Sequence, residues 1–176
     1  RTQTIAKLNH LGIYEYPTIT YSYSDSLETS LNTIITLRPR ERFELEFGLD
    51  LTQSNIQDQG IAFNSNINVL NIFGGAENFE FGVRGTIGRS ADDVISEIGG
   101  DVKLRIPKIL MPRMIAKLIP ENLQPISVLN FGTALQNNIG LDKQTYSAGV
   151  QYQWRSKKNN RIDFNLLDLT LVDNRN

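Results

Sequence analysis

Glu44, Glu46 and Asp50 lie in the run Phe43–Thr52, at a spacing that puts all three carboxylates on one face of an extended strand. Carboxylates placed in this way can act as a general acid and base, or hold a hard cation through oxygen ligands. The competing reading is a strand face solvated by water, and the residues around them favour it. Gly82, Gly85 and Gly88 have the density of a phosphate-binding loop, but such a loop opens a helix. Here the glycines interrupt an apolar and polar alternation, where they ease strand curvature. His10 has no serine elbow or acidic partner in its neighbourhood and reads as a surface or packing residue. Lys157, Lys158 and Arg161 crowd one turn and suit anionic lipid or a partner, with a solvated turn the favoured reading.

Composition removes further chemistry. The chain has no cysteine and one histidine, which excludes thiol catalysis, disulfide staples and cysteine or histidine metal clusters. A formal net charge of -1, with basic residues scattered instead of striped, disfavours nucleic acid. No catalytic group, metal or cofactor is therefore expected, and the chain reads as a non-enzyme. Hydrophobic residues make up 40%, yet no run approaches the roughly 20 apolar residues of a membrane helix, so any crossing must use strands. The mean hydropathy of -0.28 suits a soluble protein and a strand-built membrane protein equally.

The elements behind these residues fall into two parts. In residues 1–40, Ile5, Leu8 and Leu11 recur at helical spacing before Gly12, predicting a short amphipathic helix with a glycine stop. Strand-like runs follow at 14–23 and 30–37, with Ser24, Asp25 and Ser26 as the turn. From residue 41 the pattern changes. Phe43, Leu45, Phe47, Leu49 and Leu51 alternate with Glu44, Glu46, Gly48, Asp50 and Thr52, the period of a strand with one greasy and one wet face. The alternation resumes around Ile61–Val69, Phe79–Ile87, Ile98–Ile106, Leu129–Leu135, Tyr146–Trp154 and residues 161–172, about seven strands in all. The last changes phase at Leu166 and Leu167, which predicts a bulge or a strand end. Between Pro107 and residue 125, Met114, Ile115, Leu118 and Ile119 oppose Arg113 and Lys117, predicting a short amphipathic helix. Such a helix can lie on a membrane surface or pack on the protein.

A soluble sandwich alternates too, so the faces must discriminate. One carries Glu44, Glu46, Asp50, Asn64, Asn66, Asn68, Arg84, Asp101, Lys103 and Arg105, which suits a water-filled lumen. The other carries large apolar groups, with Tyr152 and Trp154 near a strand end where an interfacial aromatic girdle would sit. A large soluble sheet with one solvated face reads the same way. The expected fold is mainly β, an antiparallel transmembrane β-barrel of which about seven strands are present. An open set of such strands leaves unpaired edges, so closing strands are expected on residues after Asn176 or on another chain. The start at Arg1, without a basic and apolar leader, reads as a mature fragment.

Resemblance adds a family. TIAKLNHLGIY at 4–14 is similar to the helix-to-strand step of a POTRA domain, and RPRERF at 38–43 resembles the junction where the last such domain feeds a barrel. NIFGGAE at 71–77 resembles the first periplasmic hairpin of the BamA/TamA outer-membrane assembly family. IPKILMP at 106–112, with Tyr152–Trp154 and the final strand, resembles the TamA-like (TamL) proteins of Bacteroidetes. The likeness implies that residues 1–40 end a POTRA domain in the periplasm and that 41–176 form the N-terminal half of a bacterial outer-membrane barrel. It implies an insertase whose partners are outer-membrane lipid, client outer-membrane or secreted proteins, and periplasmic or lipoprotein accessory subunits. By position, Phe43, Glu44, Leu45, Glu46, Phe47, Gly48, Leu49, Asp50, Leu51 and Thr52 would form the lateral-gate strand, whose edge templates a client by β-augmentation. The family's inward loop motif and last strand lie outside this sequence. Two other classes stand beside it: a passive channel or secretion pore, and a barrel-embedded hydrolase, which would need a Ser-His pair that the sequence does not display.

Overall fold

The computed structural model describes residues 2–23, 31–53, 59–90, 93–111, 123–138, 141–155 and 160–175. Their order is α1 (Thr2–Leu11), β1 (Tyr14–Tyr23), β2 (Leu31–Pro39), β3 (Phe43–Thr52), β4 (Gln59–Leu70), β5 (Asn78–Ser90), β6 (Asp93–Ile106), β7 (Ile126–Asn138), β8 (Leu141–Arg155) and β9 (Arg161–Arg175). The protein is mainly β, with antiparallel sheets and one short helix. It divides into two compact units, one of residues 1–41 and one of residues 42–176.

In the smaller unit Ile5, Leu8 and Leu11 are half-buried along α1, which packs against β1. The helix stops as its sequence predicts. Gly12 takes φ +70 and donates its N–H to the Asn9 carbonyl at 3.2 Å, a left-handed turn that costs glycine no Cβ clash. β1 and β2 pair antiparallel, with an irregularity between Glu15 and Thr18 where Tyr16 adopts φ 46 and Pro17 is buried. Arg40 ties the far end back, its N–H donating to the Ile13 carbonyl at 2.9 Å and its guanidinium to that of Gly12 at 3.2 Å.

The larger unit is a single meander, β3-β4-β5-β6-β7-β8-β9, every neighbour antiparallel. Its register can be followed across the whole sheet. Glu44 faces Asn68, then Glu80, Lys103, Asn130, Gly149 and Asp168. The next row runs Leu45, Ile67, Phe81, Val102, Phe131, Ala148 and Leu169. Because opposite residues share a face and successive residues do not, seven separate alternations combine into one polar and one apolar side. The phase change at the end of the chain is a bulge: Val150 opposes Leu167 and Gln151 opposes Asn165, so Leu166 is the extra residue.

Cross-strand partners explain several glycines. A Cβ on Gly85 would stand 2.3 Å from the Phe63 ring opposite it, and one on Gly48 would stand 2.6 Å from the Asn64 amide. Gly82, expected to ease curvature, makes room in the same way for Asn66 and Asp101. The polar side is also laced by ion pairs. Arg84 meets Asp101 at 3.0 Å and Glu97 at 4.0 Å, and Glu80 lies between Lys103 at 3.6 Å and Arg105 at 3.4 Å. Being solvent-exposed, each is worth about 0–1 kcal/mol, so they tune the register more than they hold the sheet.

The core is small. Among the described residues the buried apolar side chains are Pro17, Ile19, Ala76, Ile106, Val128 and Tyr152. Much of the apolar side of the sheet is exposed, from Leu51 at 89% through Ile98 and Phe131 to Leu171, while Phe79, Val102, Leu104 and Leu129 on the same side are half-buried. One expectation is corrected here. Tyr152 does not stand in an exposed aromatic girdle: it is 2% exposed and its hydroxyl donates to the Leu110 carbonyl at 2.9 Å. Trp154, two residues on, is half-buried. The amphipathic helix expected around Met114–Ile119 lies outside the described residues, as do the Ser24–Ser26 turn, Lys157 and Lys158.

The hairpin between β4 and β5 is built on left-handed residues, Asn71 (φ 56), Gly74 (φ 86) and Ala76 (φ 64). The Asn71 side chain accepts from the Ala76 N–H at 2.8 Å, and the Glu77 carboxylate from the Gly75 N–H at 2.9 Å. Burial alone would push the Glu77 pKa up, but backbone N–H groups of Glu77, Gly75 and Phe73, helped by the charge of Lys108, hold it below its ordinary 4.5. A lowered folded-state pKa contributes stability above pH 4.5 that is lost as pH falls through the folded value. Urea unfolding of the wild type and Glu77→Gln should show a stability gap that is constant above pH 4.5 and closes below it.

Candidate functional site

The ten residues singled out for their alternation form one complete strand, β3, at the border of the seven-stranded sheet. Among the described residues it pairs with β4 alone, and the sheet is not closed on itself. Its outer backbone edge is the site. The phase of that edge follows from one hydrogen bond beside it, in which the Leu70 N–H donates to the Arg42 carbonyl at 2.8 Å. Arg42 and Leu70 continue the register that pairs Phe43 with Val69, so they are a hydrogen-bonded pair, and such pairs recur at every second residue. Glu44, Glu46, Gly48, Asp50 and Thr52 therefore direct their main-chain groups toward β4. Phe43, Leu45, Phe47, Leu49 and Leu51 turn theirs outward.

Those same five carry their side chains on the apolar face, and all are exposed, from 57% at Leu45 to 89% at Leu51. The strand thus offers an incoming chain alternate N–H and C=O groups for a ladder, and a greasy flank for that chain's own apolar residues. At about 3.3 Å per residue, Phe43 to Leu51 spans about 26 Å. The Arg42 guanidinium sits 5.6 Å from the Phe43 ring centre at one end of this row.

Of the three acid residues on β3, Glu44 and Glu46 share one depression, which Asp50 does not line. The Asn68 amide donates to Glu44 at 3.3 Å, and Glu44 and Glu46 line a shallow depression with Asn66, Asn68 and Glu80. No group of three or more metal-binding side chains comes together among the described residues. A larger open concavity of about 460 Å³ lies on the same polar face, bordered by Arg84, Asp101, Lys103, Asn130 and Ser147. His10 lies on α1 in the smaller unit, and Arg161 pairs with Asp163 at 3.0 Å.

Sequence reasoning missed the contacts of Ser127 and Tyr152 with residues 108–110. Tyr152 and the segment 106–112 are in contact through the Tyr152 hydroxyl, which donates to the Leu110 carbonyl. No protein-family model, curated protein or solved structure matches the chain.

Amide hydrogen exchange read by NMR should alternate along β3. Glu44, Glu46, Gly48 and Asp50 are expected to exchange slowly and Leu45, Phe47, Leu49 and Leu51 quickly. Uniform protection would mean that another strand covers the edge.

Proposed function

We propose that the chain is part of an outer-membrane protein assembly factor of the BamA/TamA type. In this reading the seven-stranded sheet is the N-terminal half of its barrel, and residues 1–40 are the end of a POTRA-like domain in the periplasm. The apolar side faces outer-membrane lipid, the polar side lines the lumen, and β3 is the seam at which a client strand is templated. Clients are outer-membrane or secreted proteins, with periplasmic or lipoprotein accessory subunits as further partners.

The observation that carries the reading is the coincidence of two openings in one element: an exposed apolar flank, and a β3 edge without a partner strand among the described residues, whose outward groups belong to the residues of that flank. Bare apolar area of this extent is rare on soluble monomers. Every strand from β3 to β9 has 10 to 15 residues, enough for the roughly 9–11 that a tilted membrane strand needs. Templating through main-chain groups also explains how one site could serve clients of unrelated sequence.

A second reading, a passive channel or secretion pore, is favoured by the charged concavity beside Arg84, Asp101 and Lys103. Proline separates the two, because it removes an outward N–H while an edge strand tolerates it. In the full-length protein in vesicles, the double variant Phe47→Pro, Leu49→Pro should slow client-barrel insertion about tenfold, the equivalent of one or two neutral hydrogen bonds. Phe47→Ala, which keeps the N–H, should stay close to wild type. Undiminished insertion by the proline variant, with steady conductance independent of client in planar bilayers, would assign the channel instead.

A further inference from the structure

One row of the apolar face is treated unlike the rest. Ile106, Ser127 and Tyr152 are direct cross-strand partners on β6, β7 and β8, and their exposures are 8%, 0% and 2%. Residues 107–111, leaving the end of β6, tie to this row. The Leu110 N–H donates to Ser127 Oγ at 2.8 Å, Ser127 Oγ donates to the Lys108 carbonyl at 2.7 Å, and Tyr152 donates to the Leu110 carbonyl. A serine at 0% exposure on an otherwise greasy face thus has its polar atom fully engaged by main chain. Two rows further along β7, Phe131 is bare at 59% exposure.

We propose that residues 107–111 are an interfacial strap, an element lying at the boundary between lipid headgroups and acyl chains and setting the level at which the bilayer meets this end of the sheet. The inference rests on the membrane reading given above. Its occupant is phospholipid, and the main-chain satisfaction argues for it. A main-chain group buried from water costs free energy when unpaired, and the cost is greatest beside acyl chains, where no water can relieve it. The sequence spends a buried serine and a buried tyrosine on satisfying them. The strap's outer side is mixed, with Lys108 exposed and Leu110 at 42%, as suits a segment half in and half out of the apolar layer. It sits at the end of the sheet that carries the buried turn of Ala76 and Glu77, beyond which the bare apolar band begins.

The single tryptophan, Trp154, makes a fluorescence test practicable. In the full-length protein carrying Trp154→Phe, with any other tryptophans replaced, Leu110→Trp and Phe131→Trp are reconstituted separately. The vesicles are phosphatidylcholine with phosphatidylglycerol, brominated either near the glycerol end or near the chain terminus. Leu110→Trp should be quenched at least about twofold more by the shallow bromines, and Phe131→Trp more by the deep ones. Adding Ser127→Ala and Tyr152→Phe should release the strap and remove the shallow preference at Leu110→Trp.

If Phe131→Trp is quenched while Leu110→Trp emits as in water, the strap assignment fails and the membrane reading stands. Deep quenching at both positions also overturns it, as does blue-shifted but unquenched emission at Leu110→Trp, which would place protein there. If neither position is quenched, the membrane reading fails and the strap with it.

Discussion

The interaction on which the rest depends is the unbroken antiparallel register of the larger sheet. Each strand by itself specifies only that alternate residues differ in polarity. It is the pairing of Glu44 with Asn68, and onward to Asp168, that makes all seven strands agree on which side is wet. A slip of one residue at any seam would carry an entire strand's apolar set to the polar side. Direct contacts such as Glu80 with Lys103 and interlocks such as Phe63 over Gly85 act against that slip, although none is individually strong.

Segregation at this scale has a consequence for stability. Ordinary domains bury one face of each element against another, but this sheet has no second layer among the described residues. Many of its apolar side chains stay exposed while the backbone ladders are satisfied internally. The free energy of ordering these strands must be offset mostly by ladder hydrogen bonds and cross-strand pairs, to which the proposed lipid contact would add. Proposed lipid contact and proposed edge templating are therefore linked: the medium that supports the apolar side is also the one in which an unpaired edge is most costly.

Much of this was legible in the sequence because period-two alternation is local. Residues 43–52 and 14–23 were delimited without structure, and the doublet Leu166-Leu167 announced its bulge. Strand starts were less legible, since Asp93 and Gln59 are turn-like residues drawn into ladders by their partners Ser90 and Arg89. The strap was not legible at all. Ser127 and Tyr152 act on residues 19 and 42 positions away at most, and nothing in the local pattern of β8 separates a tyrosine that faces an interface from one that holds a main-chain carbonyl. The edge at Phe43–Thr52 was expected from the open strand set and the family resemblance, but which of its main-chain groups turn outward was not, because that phase is fixed by pairing with β4.

The number of strands in the meander adds a last consequence. Seven alternating directions leave β3 and β9 pointing the same way. Joining them to each other would require a parallel seam, whose slanted bonds are slightly weaker per residue, and β9 has 15 residues to the 10 of β3. The two borders are thus poorly matched to one another, whether within one molecule or between two copies related by rotation about the sheet's strand direction. Each remains well matched to a strand running opposite to it. Among the described strands this parity disfavours a direct β3–β9 seam, and the partner that suits β3 runs opposite to it, whether it is a later strand of the proposed barrel or a templated client.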